Sequence, residues 1–138
     1  MADGELKGTV MVVDDDESLR DIVARALRDE GYQVVKAMDG QDALDLIARR
    51  KFDLVFLDIR MPGFHGQDVL TLIKSTKPEI PVVMLTAVTE QESEDEAIRR
   101  GANAYLRKPC NLEDIVKVAR EFLDSGGPAV ESAGETRP

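Results

Sequence analysis

The segment Leu54-Val55-Phe56-Leu57 is an uninterrupted apolar run, and Asp58 follows it directly. Because successive side chains of a strand point to opposite faces, a run that is apolar at every position favours a strand buried on both faces. Four further runs of this kind lie at residues 10–13, 34–35, 82–85 and, more weakly, 104–106. Together the five runs predict a parallel sheet that helices cover on both sides.

Segments with helical spacing lie between these runs. The first has its apolar residues at the intervals of three and four that define one helix face: Leu19, Ile22, Val23, Ala26 and Leu27. Asp16 is the predicted cap at its start, Gly31 the predicted residue at its end, and Asn111 the predicted cap of the last helix. Strands and helices therefore alternate five times, which predicts an α/β fold with a doubly wound parallel sheet.

The composition limits the class of protein. The chain has 138 residues, 43% of them apolar, which suits a single globular domain. Its 18 basic and 27 acidic residues give a net charge of −9, which argues against direct nucleic-acid binding and against docking on an anionic membrane. One cysteine, no apolar run near the length of about 20 residues that spans a bilayer, and no signal-peptide pattern predict a cytoplasmic protein without membrane insertion.

The chain is expected to divide into three parts. Residues 8–124 form the predicted domain and follow an amino-terminal extension at residues 1–7. Residues 125–138, with the sequence SGGPAVESAGETRP, are rich in Gly, Ser, Pro and Glu and offer little to bury. They predict a flexible tail or a linker to a further domain.

Polar residues follow four of the five apolar runs. They are Asp14, Asp15 and Asp16 after the first run, Asp58 after the third, Thr86 after the fourth and Lys108 after the fifth. In open α/β sheets, ligands bind outside the carboxyl ends of the strands. These side chains are therefore expected to meet at one edge of the sheet.

The chemistry of this set favours phosphoryl transfer. Carboxylates brought together repel one another, and a hard divalent cation such as Mg²⁺ is the usual compensation. A carboxylate can attack phosphorus to form an acyl phosphate, and such a transfer needs positioning and neutralisation of the phosphoryl oxygens. Lys108 supplies a further positive charge and Thr86 a hydroxyl. Each residue alone has a simpler explanation: the acids could cap a helix or form a turn, Thr86 could be a strand-end hydroxyl, and Lys108 could be a surface charge. Because polar residues follow four strands, the set as a whole favours a functional site.

Four motifs in order give the chain a resemblance to the receiver domain of two-component response regulators. They are Val12-Val13-Asp14-Asp15, Leu57-Asp58-Ile59-Arg60-Met61-Pro62-Gly63, Leu85-Thr86-Ala87 and Lys108-Pro109. The resemblance covers about residues 8–124. It implies a flavodoxin-like fold, a five-stranded parallel sheet in the order 2-1-3-4-5 with five helices.

The resemblance implies a phosphoacceptor and a metal site. Asp58 would take a phosphoryl group from a phosphohistidine on a sensor histidine kinase or a histidine phosphotransfer protein. Asp15 and Asp58 would bind Mg²⁺, or Mn²⁺ in its place, directly. The backbone carbonyl of Arg60 would be a third ligand, and Asp14 would act through water.

It also implies a switch that is set by phosphorylation in a signal-transducing phosphorelay. Lys108 would pair with Asp58 and then with the phosphoryl group, and Thr86 would turn its hydroxyl onto a phosphoryl oxygen. Tyr105 would move inward with Thr86, and the Lys108–Pro109 bond is a candidate for the cis form. The fourth helix, fifth strand and fifth helix would then control the binding of a protein partner, or a phosphorylation-dependent dimer.

Alternatives follow from the same residues. The chain is expected to act as a switch rather than as an enzyme, apart from its own phosphotransfer and a slow self-hydrolysis that Arg60 and Val88 suggest. It is either a stand-alone regulator or the receiver of a longer one. An aspartate-nucleophile phosphatase of the haloacid dehalogenase type would need an acid where Arg60 stands. A receiver-like scaffold that is never phosphorylated would be expected to lack one of the site residues.

Three further features are interpreted as structural. His65 is expected to be a surface residue of a loop, and Cys110 a small thiol that is buried or half-buried. Residues 90–96 hold five carboxylates and no cation, and they predict a marginal fourth helix with a solvated face.

Overall fold

The computed structural model of the chain describes residues 8–59, 65–87, 91–108 and 111–124. Strands and helices alternate along these residues as the sequence pattern predicts. In chain order they are β1 (Thr9–Val13), α1 (Glu17–Asp29), β2 (Gln33–Ala37), α2 (Gly40–Arg49), β3 (Leu54–Asp58), α3 (Gly66–Thr76), β4 (Val82–Ala87), α4 (Gln91–Arg99), β5 (Ala104–Lys108) and α5 (Leu112–Leu123). The expected extension at residues 1–7 and tail at residues 125–138 lie outside the described residues, so the three-part division of the chain stays a prediction.

The five strands form one parallel sheet in the order β2-β1-β3-β4-β5. This order confirms the doubly wound, flavodoxin-like topology. The central strands β1 and β3 pair with Val13 opposite Leu57. Asp14 and Asp58, one residue further along each chain segment, therefore emerge side by side at the carboxyl edge of the sheet.

The sheet separates two apolar layers, and alternate residues of each strand supply both. Met11 of β1 and Val55 of β3 face the layer that α2, α3 and α4 cover. Val12 and Phe56 face the layer that α1 and α5 cover. These strands are apolar at consecutive positions because both of their faces are buried. Ile22 departs from the predicted helix face, since its side chain is 50% exposed.

The predicted helix caps are present. An Asp16 carboxylate oxygen accepts from the backbone N–H of Leu19 at 3.2 Å, and Asn111 caps α5 in the same way. Gly31, with φ of 103°, ends the first helix in a conformation that favours glycine. His65 is exposed as expected, and its Nδ1 accepts from the backbone N–H of Gln67, so this residue also caps α3.

None of the helices in the described part of the chain is both long enough and apolar enough to cross a membrane.

Candidate functional site

Three carboxylates meet at the carboxyl edge of the sheet. One oxygen from each of Asp14, Asp15 and Asp58 lies within 4.8 Å of the other two. Asp14 is 1% exposed and Asp58 5% exposed, whereas Asp15 is exposed to solvent. We call these three residues the acidic cluster. Its buried carboxylates come from the two central strands, and its exposed member leaves one side open to solvent.

Backbone contacts orient the first member of the acidic cluster. A side-chain oxygen of Asp14 accepts from the backbone N–H of Asp16 at 3.0 Å. The Arg20 guanidinium, one turn into α1, donates to the backbone carbonyl of Asp14 at 2.7 Å. Arg20 was not identified from the sequence. Its position in the first turn of the first helix, between the apolar positions 19 and 22, could have indicated that it lies near Asp14. Its charge offsets part of the repulsion among the carboxylates.

The position of Asp58 depends on close packing of backbone against backbone. The backbone N–H of Ile59 donates to Leu85 of β4, and the N–H of Gly66 donates to the carbonyl of Ile59 at 2.9 Å. A Cβ placed on Gly66 would lie 2.4 Å from the carbonyl oxygen of Asp58. The start of α3 therefore presses directly on the end of β3, and position 66 accommodates no side chain. Sequence reasoning also missed this role.

The strand register brings Thr86 and Lys108 towards the same edge. Asp58 lies opposite Leu85, and the next residue of β4 is Thr86. Lys108 lies opposite Ala87 at the ends of β5 and β4. The side chains of Thr86 and Lys108 lie outside the described residues, as do the predictions for Arg60, Val88, Pro109 and Cys110.

Tyr105 lies in β5 opposite Met84. Its partly buried side chain packs against the apolar layer beneath α3 and α4. This position, on the strand that carries Lys108, is compatible with the switch role that the resemblance implies, and that role stays a prediction.

The interpretation of residues 90–96 as a solvated helix face is wrong for Glu94. Its side chain is 1% exposed and forms an ion pair with Arg107, whose Nε lies 2.5 Å from Oε2. The compensating cation comes from β5, 13 residues away along the chain. A scan of the segment alone could not reveal this partner. Asp95, the next residue, is exposed as predicted.

The acidic cluster fits a divalent cation. Two unit charges about 5 Å apart repel by about 3 kcal/mol at an effective dielectric constant of 20. Carboxylate oxygens are the donors that Mg²⁺ prefers, and this ion usually retains several waters. The exposed side at Asp15 provides access for a partly hydrated ion.

The chain matches known proteins over most of its length. The family model described as "Response regulator receiver domain" matches residues 10–120. The probable transcriptional regulatory protein TcrX of Mycobacterium tuberculosis is 36% identical over 133 residues, which are 96% of this chain and 56% of that protein. Response regulator MprA of Mycolicibacterium vanbaalenii is 38% identical over 127 residues, 92% of this chain and 54% of that protein.

A solved structure shows the same likeness. The receiver domain of NtrX from Brucella abortus superposes with a TM-score of 0.79 at 40% identity, covering 84% of this chain and 98% of that domain. The chain spans about half the length of the two curated relatives that it matches. The chain therefore belongs to the response regulator receiver domain family, whose members act in two-component signal transduction.

Proposed function

We propose that this chain is a phosphoacceptor switch in which Asp58 receives the phosphoryl group. The observation that carries the proposal is the acidic cluster, with the buried carboxylate of Asp58 at the end of a central strand. Receiver domains interact with sensor histidine kinases and act as phosphoacceptor switches rather than as enzymes on an external substrate. The buried site of Asp58 limits the approach of water to a carboxylate that has to hold a phosphoryl group.

In the proposed phosphoryl transfer, Asp58 is the nucleophile. A carboxylate oxygen of Asp58 attacks the phosphorus of a phosphohistidine on a sensor kinase or a histidine phosphotransfer protein. The new O–P bond forms as the N–P bond breaks, and the electron pair returns to the imidazole nitrogen. Lys108 is proposed to neutralise charge on the phosphoryl group, because it ends β5 next to the strand that carries Thr86.

Receiver domains bind Mg²⁺ through clustered acidic residues, and this chain has such a cluster. Asp15 and Asp58 are proposed to hold the ion directly, together with the backbone carbonyl of Arg60, while Asp14 acts through water. When bound, the ion neutralises negative charge on the transferring phosphoryl oxygens. Mn²⁺ is expected to substitute for it.

The proposed output is a change in protein binding. Thr86 would engage the phosphoryl group and Tyr105 would follow, which alters the surface of α4, β5 and α5. That surface would bind a downstream protein or a second copy of the chain. The net charge of −9 favours such a partner over direct contact with nucleic acid.

A second candidate function concerns the whole protein. TcrX is named a transcriptional regulatory protein, and this chain covers 56% of its length. The chain would then be the receiver of a longer regulator with a separate output domain. The full reading frame distinguishes this possibility from a stand-alone regulator.

The test of phosphoryl acceptance uses acetyl phosphate with Mg²⁺. We expect the intact mass to rise by one phosphoryl group, and peptide mapping to place that group on Asp58. Chelation of the metal with EDTA is expected to prevent the gain. No gain in mass, or a group placed elsewhere, would contradict the proposal. Steady hydrolysis of a phosphate monoester such as p-nitrophenyl phosphate would favour the phosphatase instead.

Metal binding is tested separately with Asp15→Asn. We expect Mg²⁺ to raise the urea midpoint of the wild type by mass action, and Asp15→Asn to weaken the ion's affinity at least tenfold, measured by titration calorimetry. The control is Asp45→Asn, which removes one exposed carboxylate on α2 away from the cluster. Equal affinities in Asp15→Asn and the wild type would exclude Asp15 as a ligand.

A further inference from the structure

The helix α4 has a weak apolar attachment to the domain. Among its described side chains, residues 94–99, Ala97 is fully buried while Ile98 is 48% exposed. Burial of an alanine methyl group removes little apolar area from water, so it stabilises much less than a buried leucine. Polar contacts of residues 94–100 therefore contribute substantially to the position of this helix.

One such contact is the ion pair between Glu94 of α4 and Arg107 of β5. The guanidinium makes two parallel hydrogen bonds, Nε to Oε2 at 2.5 Å and Nη2 to Oε1 at 2.9 Å. The carboxylate is 1% exposed, whereas the arginine side chain is 46% exposed. A buried carboxylate requires a charge-assisted partner, and the planar fork of arginine fixes the direction of approach.

The pair lies beside the residues of the proposed switch. Arg107 is opposite Thr86 in the register of β4 and β5, and it directly precedes Lys108. Tyr105 lies two residues before Arg107, so both side chains point to the same face of the strand. On that face Tyr105 packs against the apolar layer that contains Ala97.

The carboxyl end of α4 has a different anchor. Arg100 donates to Glu96 at 2.7 Å, to the hydroxyl of Thr71 at 3.0 Å and to Asp68 at 3.3 Å. These contacts attach the end of α4 to α3, which does not carry Thr86 or Lys108. The Glu94–Arg107 pair instead attaches α4 to the strand at the edge of the site.

We propose that Glu94 and Arg107 are positioning residues that hold α4 on β5 and couple this helix to the state of Asp58. A shift at Thr86 would alter the space beside Arg107, and the two-point ion pair would transmit that shift to α4. The coupling rests on the proposed function of Asp58, whereas the positioning of α4 does not.

The test is hydrogen exchange, followed by mass spectrometry, on peptides that cover α4. The variant Glu94→Gln keeps the size of the side chain but removes its charge, and the half-exposed Arg107 can then be hydrated. Arg99→Gln is the matched control, since it removes an ion pair with Glu96 in which the arginine is 67% exposed. Each protein is measured with and without acetyl phosphate and Mg²⁺, and its phosphoryl gain is followed by intact mass.

We expect the amides of α4 to exchange about tenfold faster in Glu94→Gln than in the wild type without phosphodonor. Phosphorylation is expected to change the exchange of α4 in the wild type and in Arg99→Gln. In Glu94→Gln that change should be lost, although the variant still gains a phosphoryl group. Arg107→Gln is expected to accelerate exchange more strongly, because it leaves a buried carboxylate without its arginine.

Two results would overturn the proposal. Unchanged basal exchange of α4 in both Glu94→Gln and Arg107→Gln would show that the pair does not position the helix. If Glu94→Gln exchanges faster without phosphodonor but responds to phosphodonor as the wild type does, the pair positions α4 without coupling it to Asp58. If the wild type gains no phosphoryl group, the proposed function fails, and basal exchange still decides whether the pair positions α4.

Discussion

The variant Asp58→Asn is expected to gain no phosphoryl group from acetyl phosphate and, without Mg²⁺, to be more stable than the wild type. The amide is a poor nucleophile, so acyl phosphate cannot form at this position. The same change removes one charge from three carboxylates whose oxygens lie within 4.8 Å of one another. Each pair repels by about 3 kcal/mol at an effective dielectric constant of 20, and solvent and nearby cations offset most of this, so the free energy of unfolding should rise by about 1–2 kcal/mol.

Urea denaturation with and without Mg²⁺ measures the second effect. The bound cation compensates the repulsion in the wild type, so the difference in stability should shrink when Mg²⁺ is present. The control Asp45→Asn changes an exposed carboxylate on α2 and should alter stability by less than about 0.5 kcal/mol. If Asp58→Asn still acquires a phosphoryl group, the acceptor lies elsewhere. If Asp58→Asn is less stable than the wild type without Mg²⁺, the stabilising contacts of the Asp58 carboxylate outweigh its repulsion from Asp14 and Asp15.

The variant Gly66→Ala is expected to destabilise the fold and to slow phosphorylation of Asp58. Its methyl group would lie 2.4 Å from the carbonyl oxygen of Asp58 and 2.6 Å from Cα of Ile59. Both neighbours are backbone atoms, so α3 has to move away from β3. Overpacking of this kind costs about 1–3 kcal/mol, and displacement of a reacting group by about 1 Å can cost about 100-fold in rate. We expect a loss of at least tenfold in the rate.

The control Gly101→Ala separates stability from function. Gly101 has φ of 106° and precedes β5. It therefore lies at the amino-terminal edge of the parallel sheet, whereas Asp58 lies at the carboxyl edge. A Cβ there would lie 3.3 Å from the flexible side chain of Lys74. Alanine in this left-handed conformation should cost about 1–2 kcal/mol of stability without slowing phosphorylation. The rates are compared under conditions in which circular dichroism shows both variants folded. A wild-type rate in Gly66→Ala would show that α3 can shift without moving Asp58.

Much of the fold was predictable because its signals are local. The apolar run at residues 54–57 is buried throughout, as its composition predicts for a central strand. Asp16 and Asn111 cap helices because their short side chains reach backbone N–H groups three residues away. The acidic cluster was predictable for a related reason, since parallel strands deliver their carboxyl ends to one edge of the sheet.

Other contacts depend on pairs that are distant in the chain or on the packing of backbones. The segment at residues 90–96 has no cation of its own, and Glu94 is buried because β5 brings Arg107 against it. Arg20 belongs to α1, yet it donates to the carbonyl of Asp14 beside the acidic cluster. No periodicity in the sequence indicates which of many charged residues will meet in this way.

By itself, the sequence determined the alternation of strands and helices, the two-faced burial of the sheet and the group of acids at its edge. These follow from hydrophobic periodicity and from neighbours a few residues apart. The tertiary structure alone decided that Gly66 lies against the backbone of Asp58 and that Glu94 is buried against Arg107. The reason is that close packing and the desolvation of a charge depend on which distant atoms fill the surrounding space.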